Sequence, residues 1–226
     1  MFTGIIEEVG HVTAIVDKGG TRRLIVSATE IVKQLKRGDS IAVSGVCLTA
    51  VEITPQSFSA DLAEETWNRT SFSRIRPGAL VNLEVPMRAD GRFDGHIVQG
   101  HVDGKGTFVS LDRIRKSDDY WLRIEIPPEL ARYVIFKGSL SIEGISLTIA
   151  KIDGMQISTA ILPHTLEMTN LKSFKPGDPM NLEVDVIAKY VERMLHGGSA
   201  NSAITLERLV ARVSSDRRWT QTRLPT

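Results

Sequence analysis

The chain has 226 residues, of which 42% are apolar, and its 28 basic and 27 acidic side chains leave a formal net charge of +1. These values are typical of a soluble globular protein with room for two modest hydrophobic cores. They exclude a protein that works mainly by neutralising nucleic-acid phosphates, and no apolar stretch approaches the roughly 20 residues that span a bilayer.

The one cysteine, Cys47, cannot form an internal disulfide, so the composition does not indicate an oxidising compartment. The first residues are acidic and lack the basic flank and the apolar core of a secretory signal. We therefore expect a cytoplasmic protein that binds neither nucleic acid nor membrane.

In chain order, the first half contains short β-rich segments bounded by glycine, proline or charged clusters. Strands are predicted at residues 10–16, 23–28, 40–46, 49–53 and 80–85. Short helical turns are predicted at 30–36 and 63–68, and a hairpin turn at 54–57. Strands at this spacing favour a small barrel or a sandwich.

The second half repeats the first. A shift of 99 positions carries Gly-Val-Cys-Leu-Thr at 45–49 onto Gly-Ile-Ser-Leu-Thr at 144–148, and helical turns at 128–136 and 164–168 match those of the first half. The period is too long for a solenoid. It predicts two tandem domains, residues 1–97 and 98–184, followed by a separate segment, residues 185–226.

The segment 185–226 begins with a predicted amphipathic helix. Asp185 is a good N-cap, and the apolar residues after it recur at spacings of one, three and four: Val186, Ile187, Tyr190, Val191, Met194 and Leu195. The first copy has no such helix, so the apolar stripe is expected to pack on a barrel or against another subunit. A weaker helical pattern follows at 206–213.

The repeated thiol and hydroxyl positions are candidates for chemistry. Cys47 corresponds to Ser146, and Thr49 and Thr148 lie two residues further on, so in a strand each pair projects from one face. Such a pattern suits hydrogen bonding to a heteroaromatic ring. It equally fits a small buried residue that differs between the copies, beside threonines that simply favour strands.

The histidines do not predict a metal site. His96 and His101 are five residues apart, which would place them on opposite faces of a strand, and no cluster has the spacing of zinc ligands. We expect His96 to be a surface residue or a fully hydrogen-bonded one. Gly100 and Gly104 beside His101 indicate a close approach of the backbone to another group. The glycines between the halves match neither a Walker nor a Rossmann fingerprint.

Five motifs together resemble the riboflavin synthases of the alpha-chain type. They are Met-Phe-Thr-Gly-Ile-Ile at 1–6, Gly-Val-Cys-Leu-Thr at 45–49, Gly-His-Ile-Val-Gln-Gly-His-Val-Asp-Gly at 95–104, Gly-Ile-Ser-Leu-Thr at 144–148 and Leu-Pro-His-Thr-Leu at 162–166. The resemblance covers residues 1–195 with the duplication in register.

This resemblance implies an all-β fold of two tandem pseudo-symmetric six-stranded Greek-key barrels with a C-terminal α-helix, through which three chains form a homotrimer. The implied activity is a cofactor-free dismutation, the last step of riboflavin biosynthesis. Two molecules of 6,7-dimethyl-8-ribityllumazine exchange a four-carbon unit and give riboflavin and 5-amino-6-(D-ribitylamino)uracil. The productive site is implied to lie between the N-terminal barrel of one chain and the C-terminal barrel of a neighbour, with no metal.

The resemblance also implies site residues. Those implied to act in catalysis are Ser40, Cys47, His101, Ser146, Thr148 and Asp185. Those implied to bind the substrate are Phe2, Gly4, Ile5, Ile6, Cys47, Leu48, Thr49, Asp61, Leu62, Ala63, Glu64, Glu65, Thr66, Gly100, His101, Val102, Lys137, Ser146, Leu147, Thr148, Ile161, Leu162, Pro163, His164 and Thr165.

Two other functions are compatible with such a barrel. A non-catalytic lumazine- or flavin-binding antenna protein shares the duplicated fold, although Cys47, His101, Ser146 and Thr148 favour an enzyme. The flavin-binding domain of an electron-transfer reductase has a similar barrel. That function expects a following nicotinamide-binding domain, for which the residues after Leu195 are too few.

Overall fold

The computed structural model describes residues 1–196, and its strands form two closed antiparallel barrels. The first contains β1 (Glu8–Asp17), β2 (Thr21–Ser27), β3 (Ser40–Val43), β4 (Val46–Thr54), β5 (Ser57–Ala63) and β6 (Leu80–Glu84), closed in the order β1-β2-β5-β4-β3-β6. The second contains β7 (Gly104–Arg113), β8 (Tyr120–Glu125), β9 (Ser139–Ile142), β10 (Ile145–Asp153), β11 (Gln156–Ile161) and β12 (Pro179–Val184). It closes in the equivalent order, so the predicted pair of Greek-key barrels is confirmed.

Three short helices connect strands: α1 (Glu64–Arg69), α2 (Pro128–Ala131) and α3 (Pro163–Glu167), with 3₁₀ turns at Ile31–Lys33, Ser71–Arg74 and Asn170–Ser173. A longer helix, α4 (Val186–His196), follows the last strand. The predicted cap is confirmed, because Asp185 Oδ1 accepts the backbone N–H of Ile187 at 2.9 Å. The helical pattern predicted at 206–213 lies outside the described residues. Within residues 1–196, no helix is long and apolar enough to cross a membrane.

Each barrel has its own hydrophobic core, built from alternate residues of its strands. Leu24 and Val26 of β2 are fully buried, as are Leu122 and Ile124 of the equivalent strand β8. Burial of each such side chain contributes about 1.5–3 kcal/mol. The period of two therefore fixes which residues face the interior and which face outward.

The strand predicted at 40–46 begins at Ser40 as expected, but its predicted end is wrong, because β3 ends at Val43 and the chain turns at Ser44 and Gly45. Their φ values of 44° and 78° are both positive, as a type I′ hairpin turn requires. Glu143 and Gly144 repeat the turn in the second barrel, with φ values of 51° and 81°. The two turns meet: a Cβ on Gly45 would lie 2.7 Å from the backbone nitrogen of Gly144, so only glycine fits.

Two equivalent asparagines join the barrels beside these turns. Asn82 Nδ2 donates to the carbonyl oxygen of Glu143 at 2.9 Å, and Asn181 Nδ2 donates to that of Ser44 at 2.9 Å. Their side-chain oxygens accept the N–H groups of Asn170 and Ser71, at 2.8 and 2.7 Å respectively. Each bond thus has a counterpart in the other barrel, and this symmetry keeps the buried amides satisfied.

One residue of this interface has no equivalent. Glu143 is 2% exposed and stands where the first barrel has Ser44. Its Oε1 accepts the N–H of Asn181 at 2.6 Å. Burial raises the pKa of Glu143 to about 7, against the opposing effect of hydrogen bonds from Asn181 and neighbouring side chains.

Glu143→Gln should therefore change how stability depends on pH. The unfolded carboxyl ionises near pH 4.5, whereas the folded one keeps its proton until about pH 7, so folding is progressively weakened as the pH rises through this window. In urea unfolding, the free energy of unfolding of Glu143→Gln relative to that of the wild type should increase by up to about 3 kcal/mol from pH 4.5 to pH 8.5. Parallel pH profiles for the two proteins would contradict this assignment.

Candidate functional site: two equivalent corners between the barrels

Two short segments cross between the barrels and pair with each other. Phe2 and Val98 form an isolated antiparallel bridge, with N···O distances of 2.7 and 3.1 Å. Phe2 is fully buried and packs with Val98 and Ala42 against Cys47. Beyond the bridge, Ile6 packs on the core of the second barrel, and Val102 packs on the core of the first. The segment that precedes each barrel in the chain therefore packs on the core of the other barrel.

A buried glutamate holds each crossing segment. Glu84 accepts hydrogen bonds from the N–H of Thr3, the hydroxyl of Thr3 and the N–H of Gly4, at 2.6 to 3.0 Å. Burial raises the pKa of Glu84, and these bonds oppose the rise. At the equivalent position, Glu183 accepts the N–H groups of Gln99, Gly100 and His101 at 2.7 to 3.0 Å.

The glycine of each segment contacts the start of a strand. The carbonyl oxygen of Gly4 accepts the N–H of Ser146 at 2.8 Å, and the carbonyl oxygen of Gly100 accepts the N–H of Cys47 at 2.8 Å. Both glycines have positive φ, 78° and 79°, and an added Cβ would lie within 2.7 Å of the facing Cβ. Glycine is required at both places, so the structure builds the same corner twice.

The corner at Ser146 borders a cavity of about 370 Å³, within the usual range for small-molecule sites. Most of its lining comes from residues that the sequence predicted as substrate-binding: Gly4, Ile5, Ile6, Ser146, Leu147, Thr148, Leu162, His164 and Thr165. Ile145, Ala160, Met168 and Thr169 also line it and were not predicted. The exposed apolar side chains of Ile5, Leu162 and Met168 lie along this lining.

The corner at Cys47 presents the equivalent strand. Cys47 is half-buried and Thr49 is exposed. In the second barrel, Ser146 is likewise half-buried and Thr148 is exposed. Ser40 pairs with Thr49 across β3 and β4. His101 is exposed and follows Gly100 directly.

The remaining residues predicted for the first barrel lie along β5 and α1. Asp61 forms an ion pair with Arg23 at 2.7 Å, which lowers the pKa of the carboxyl. Ala63 ends β5, and Glu64, Glu65 and Thr66 begin α1. Thr66 is the counterpart of Thr165, which lines the cavity of the second barrel.

Some predicted substrate-binding residues point into the barrels. Leu48, Leu62 and Ile161 are 5%, 1% and 0% exposed, so only their backbone groups can reach a ligand. Pro163 begins α3. Lys137 has φ 65°, its N–H donates to Ile149, and its ammonium lies 5.2 Å from the ring centroid of Phe136.

Sequence reasoning missed His96. The imidazole is 7% exposed, and its Nδ1 lies 2.7 Å from Ser146 Oγ. Its Nε2 is buried and has no hydrogen-bond partner among the described residues, so the expectation of a surface or fully hydrogen-bonded histidine is wrong. Burial lowers the pKa of His96, although the charge of Asp185 opposes the shift. The contact joins residues 50 positions apart, and no local pattern in the sequence indicates it.

Among residues 1–196, no group of three or more histidine, cysteine, aspartate or glutamate side chains is placed to hold a metal ion. What the corners offer is a hydroxyl or a thiol, a pair of threonines and an apolar lining. Such a set can orient a planar heterocycle by hydrogen bonds at its edge while its faces contact apolar groups.

Comparison with known proteins agrees with this geometry. The lumazine binding domain family matches residues 3–86 and again residues 99–185. Riboflavin synthase of Actinobacillus pleuropneumoniae is 45% identical over 195 residues, covering 86% of this chain and 90% of its own length. The riboflavin synthase of Bacillus subtilis is 37% identical over 201 residues, covering 89% and 93%.

A solved structure with the same architecture is LumP complexed with 6,7-dimethyl-8-(1'-D-ribityl) lumazine. It superimposes with a TM-score of 0.73 at 25% identity, covering 81% of this chain and 99% of its own. The identity to LumP is thus well below the identity to the synthases. The chain therefore belongs to the riboflavin synthase family of duplicated lumazine-binding proteins.

Proposed function

We propose that this chain is a riboflavin synthase. It transfers a four-carbon unit between two molecules of 6,7-dimethyl-8-ribityllumazine and releases riboflavin and 5-amino-6-(D-ribitylamino)uracil. The observation that supports this most is the corner that the chain builds twice, at Cys47 with Gly100 and at Ser146 with Gly4. Two similar sites suit a reaction whose two substrates are identical.

The gain from such a pair of sites is largely entropic. Two dissolved lumazines meet rarely in the right orientation, whereas two bound rings held face to face react as if in one molecule. Holding reactants in this way can lower a barrier by about 7–11 kcal/mol in favourable systems. No metal or organic cofactor is needed for this contribution.

The side chains at the two corners suit the proton transfers of the reaction. One lumazine must lose a proton from its 7-methyl group, and the other must be attacked by a nucleophile. We assign these tasks to groups around Cys47 and Ser146, with Ser40, Thr148, His101 and Asp185 near the reacting rings. The other predicted substrate-binding residues would hold the pteridine and the ribityl chain.

The proposed domains are an N-terminal barrel at 1–97, a C-terminal barrel at 98–184 and a C-terminal segment at 185–226. We assign trimer formation to the apolar stripe of α4, which the first copy lacks. In the trimer, the first-barrel corner of one chain would face the second-barrel corner of a neighbour. The exposed apolar side chains of Ile5, Leu162 and Met168 are groups that such an assembly would cover. We place the enzyme in the cytoplasm, in keeping with its single cysteine.

The purified chain should turn over 6,7-dimethyl-8-ribityllumazine with no added cofactor. Chromatography of the products should give riboflavin and the pyrimidine in equal amounts, because each turnover yields one of each. Tight lumazine binding without riboflavin formation would instead identify an antenna-type protein.

Charges in the apolar stripe of α4 should prevent trimer formation. The double variant Val191→Glu with Leu195→Glu adds two negative charges to the stripe, whereas Arg193→Glu makes the same change in net charge at a polar position. Light scattering should give three times the chain mass of 24.9 kDa for the wild type and Arg193→Glu, and one chain mass for the double variant. An unchanged mass for the double variant would remove α4 from the trimer interface.

A further inference from the structure

His96 is held rigidly beside the cavity of the second barrel. The backbone N–H of His96 donates to the carbonyl oxygen of Thr3 at 3.1 Å. A Cβ on the preceding residue, Gly95, would lie 1.9 Å from that same oxygen, so the backbone can pass only as glycine. From this backbone position, the imidazole places Nδ1 at 2.7 Å from Ser146 Oγ.

The two tautomers of a neutral imidazole give Ser146 opposite properties. When Nδ1 is bare, the Ser146 hydroxyl donates to it and presents only lone pairs to the cavity. When Nδ1 carries the proton, it donates to Ser146 Oγ and leaves the hydroxyl proton free for a ligand. Within residues 1–196, Nε2 has no hydrogen-bond partner, so no bond from this part of the chain fixes one tautomer at that nitrogen.

We propose that His96 is a positioning residue that accepts and returns the hydroxyl proton of Ser146 during catalysis. This rests on the proposed synthase function. Ser146 Oγ takes the proton from the 7-methyl carbon of the bound lumazine while its own proton passes to His96 Nδ1. The electron pair of the broken C–H bond stays on the lumazine, so the step ends with a lumazine anion and an imidazolium. The proton returns when the product forms.

This contact distinguishes the two corners. In the part of the chain that the structure describes, Cys47 occupies the place of Ser146 but is not hydrogen-bonded to a histidine. Among the described residues, the hydrogen bond from a histidine to the residue in this place therefore occurs only at the second-barrel corner, whereas His101 beside the first corner is exposed. The bond-breaking proton transfer is thus assigned to the lumazine in the second barrel.

The charges around His96 keep it able to accept a proton. The imidazole contacts Ser146 at the start of β10, and the backbone of His96 is bonded to Thr3. Asp185 precedes α4, and its charge favours the imidazolium that the step creates. Glu84 binds the Thr3 segment through the bonds described above. Burial lowers the pKa of His96, which favours the neutral ring that can accept a proton.

The test compares His96→Asn with the wild type and with His11→Asn, a control at an exposed position. Asparagine can place a polar atom near that of Nδ1 and keep a bond to Ser146, but it cannot accept a proton. We expect kcat to fall by about 10²-fold in His96→Asn, with riboflavin affinity little changed and His11→Asn unaffected. The fall of wild-type kcat towards acid pH should disappear in His96→Asn.

One outcome would overturn the inference while the synthase function stands. It is a His96→Asn variant with wild-type kcat and an unchanged pH profile. A wild type that binds lumazine but makes no riboflavin would instead overturn the proposed function itself.

Discussion

The architecture depends on the antiparallel bridge between Phe2 and Val98. It places the two crossing segments back to back, so that each leaves its own barrel and completes a corner of the other. Glu84 and Glu183 then fix the backbone of these segments with three hydrogen bonds each. Neither corner can form in an isolated barrel, because Gly4 and Gly100 come from the opposite copy.

The duplication explains how one chain builds two corners with the same backbone geometry. Exchange of equivalent segments makes the two corners alike wherever the copies are alike, including the close contacts of both glycines. The side chains around the corners differ more, and Ser146 against Cys47 is one such difference. Ser146 with its neighbouring imidazole faces one cavity, and the half-buried thiol of Cys47 takes the same place in the other corner.

Much of the fold was predictable from the sequence, because the repeat shows each local pattern at two equivalent positions. The alternation of the strands and the short helical turns could be recognised in both copies, and the repeat also matched Cys47 with Ser146. The predicted strand at 40–46 was too long for a physical reason: the apolar, strand-like residues around Ser44 gave no sign of a turn with positive φ. His96 and Glu143 escaped prediction because their surroundings come from residues far away in the chain, which a single sequence does not pair.

The central claim is that one chain offers two equivalent ligand sites. Calorimetric titration of the purified protein with riboflavin, which binds without turnover, tests it most directly. The account predicts two riboflavin molecules bound per chain at saturation. Saturation at one molecule or none would contradict it.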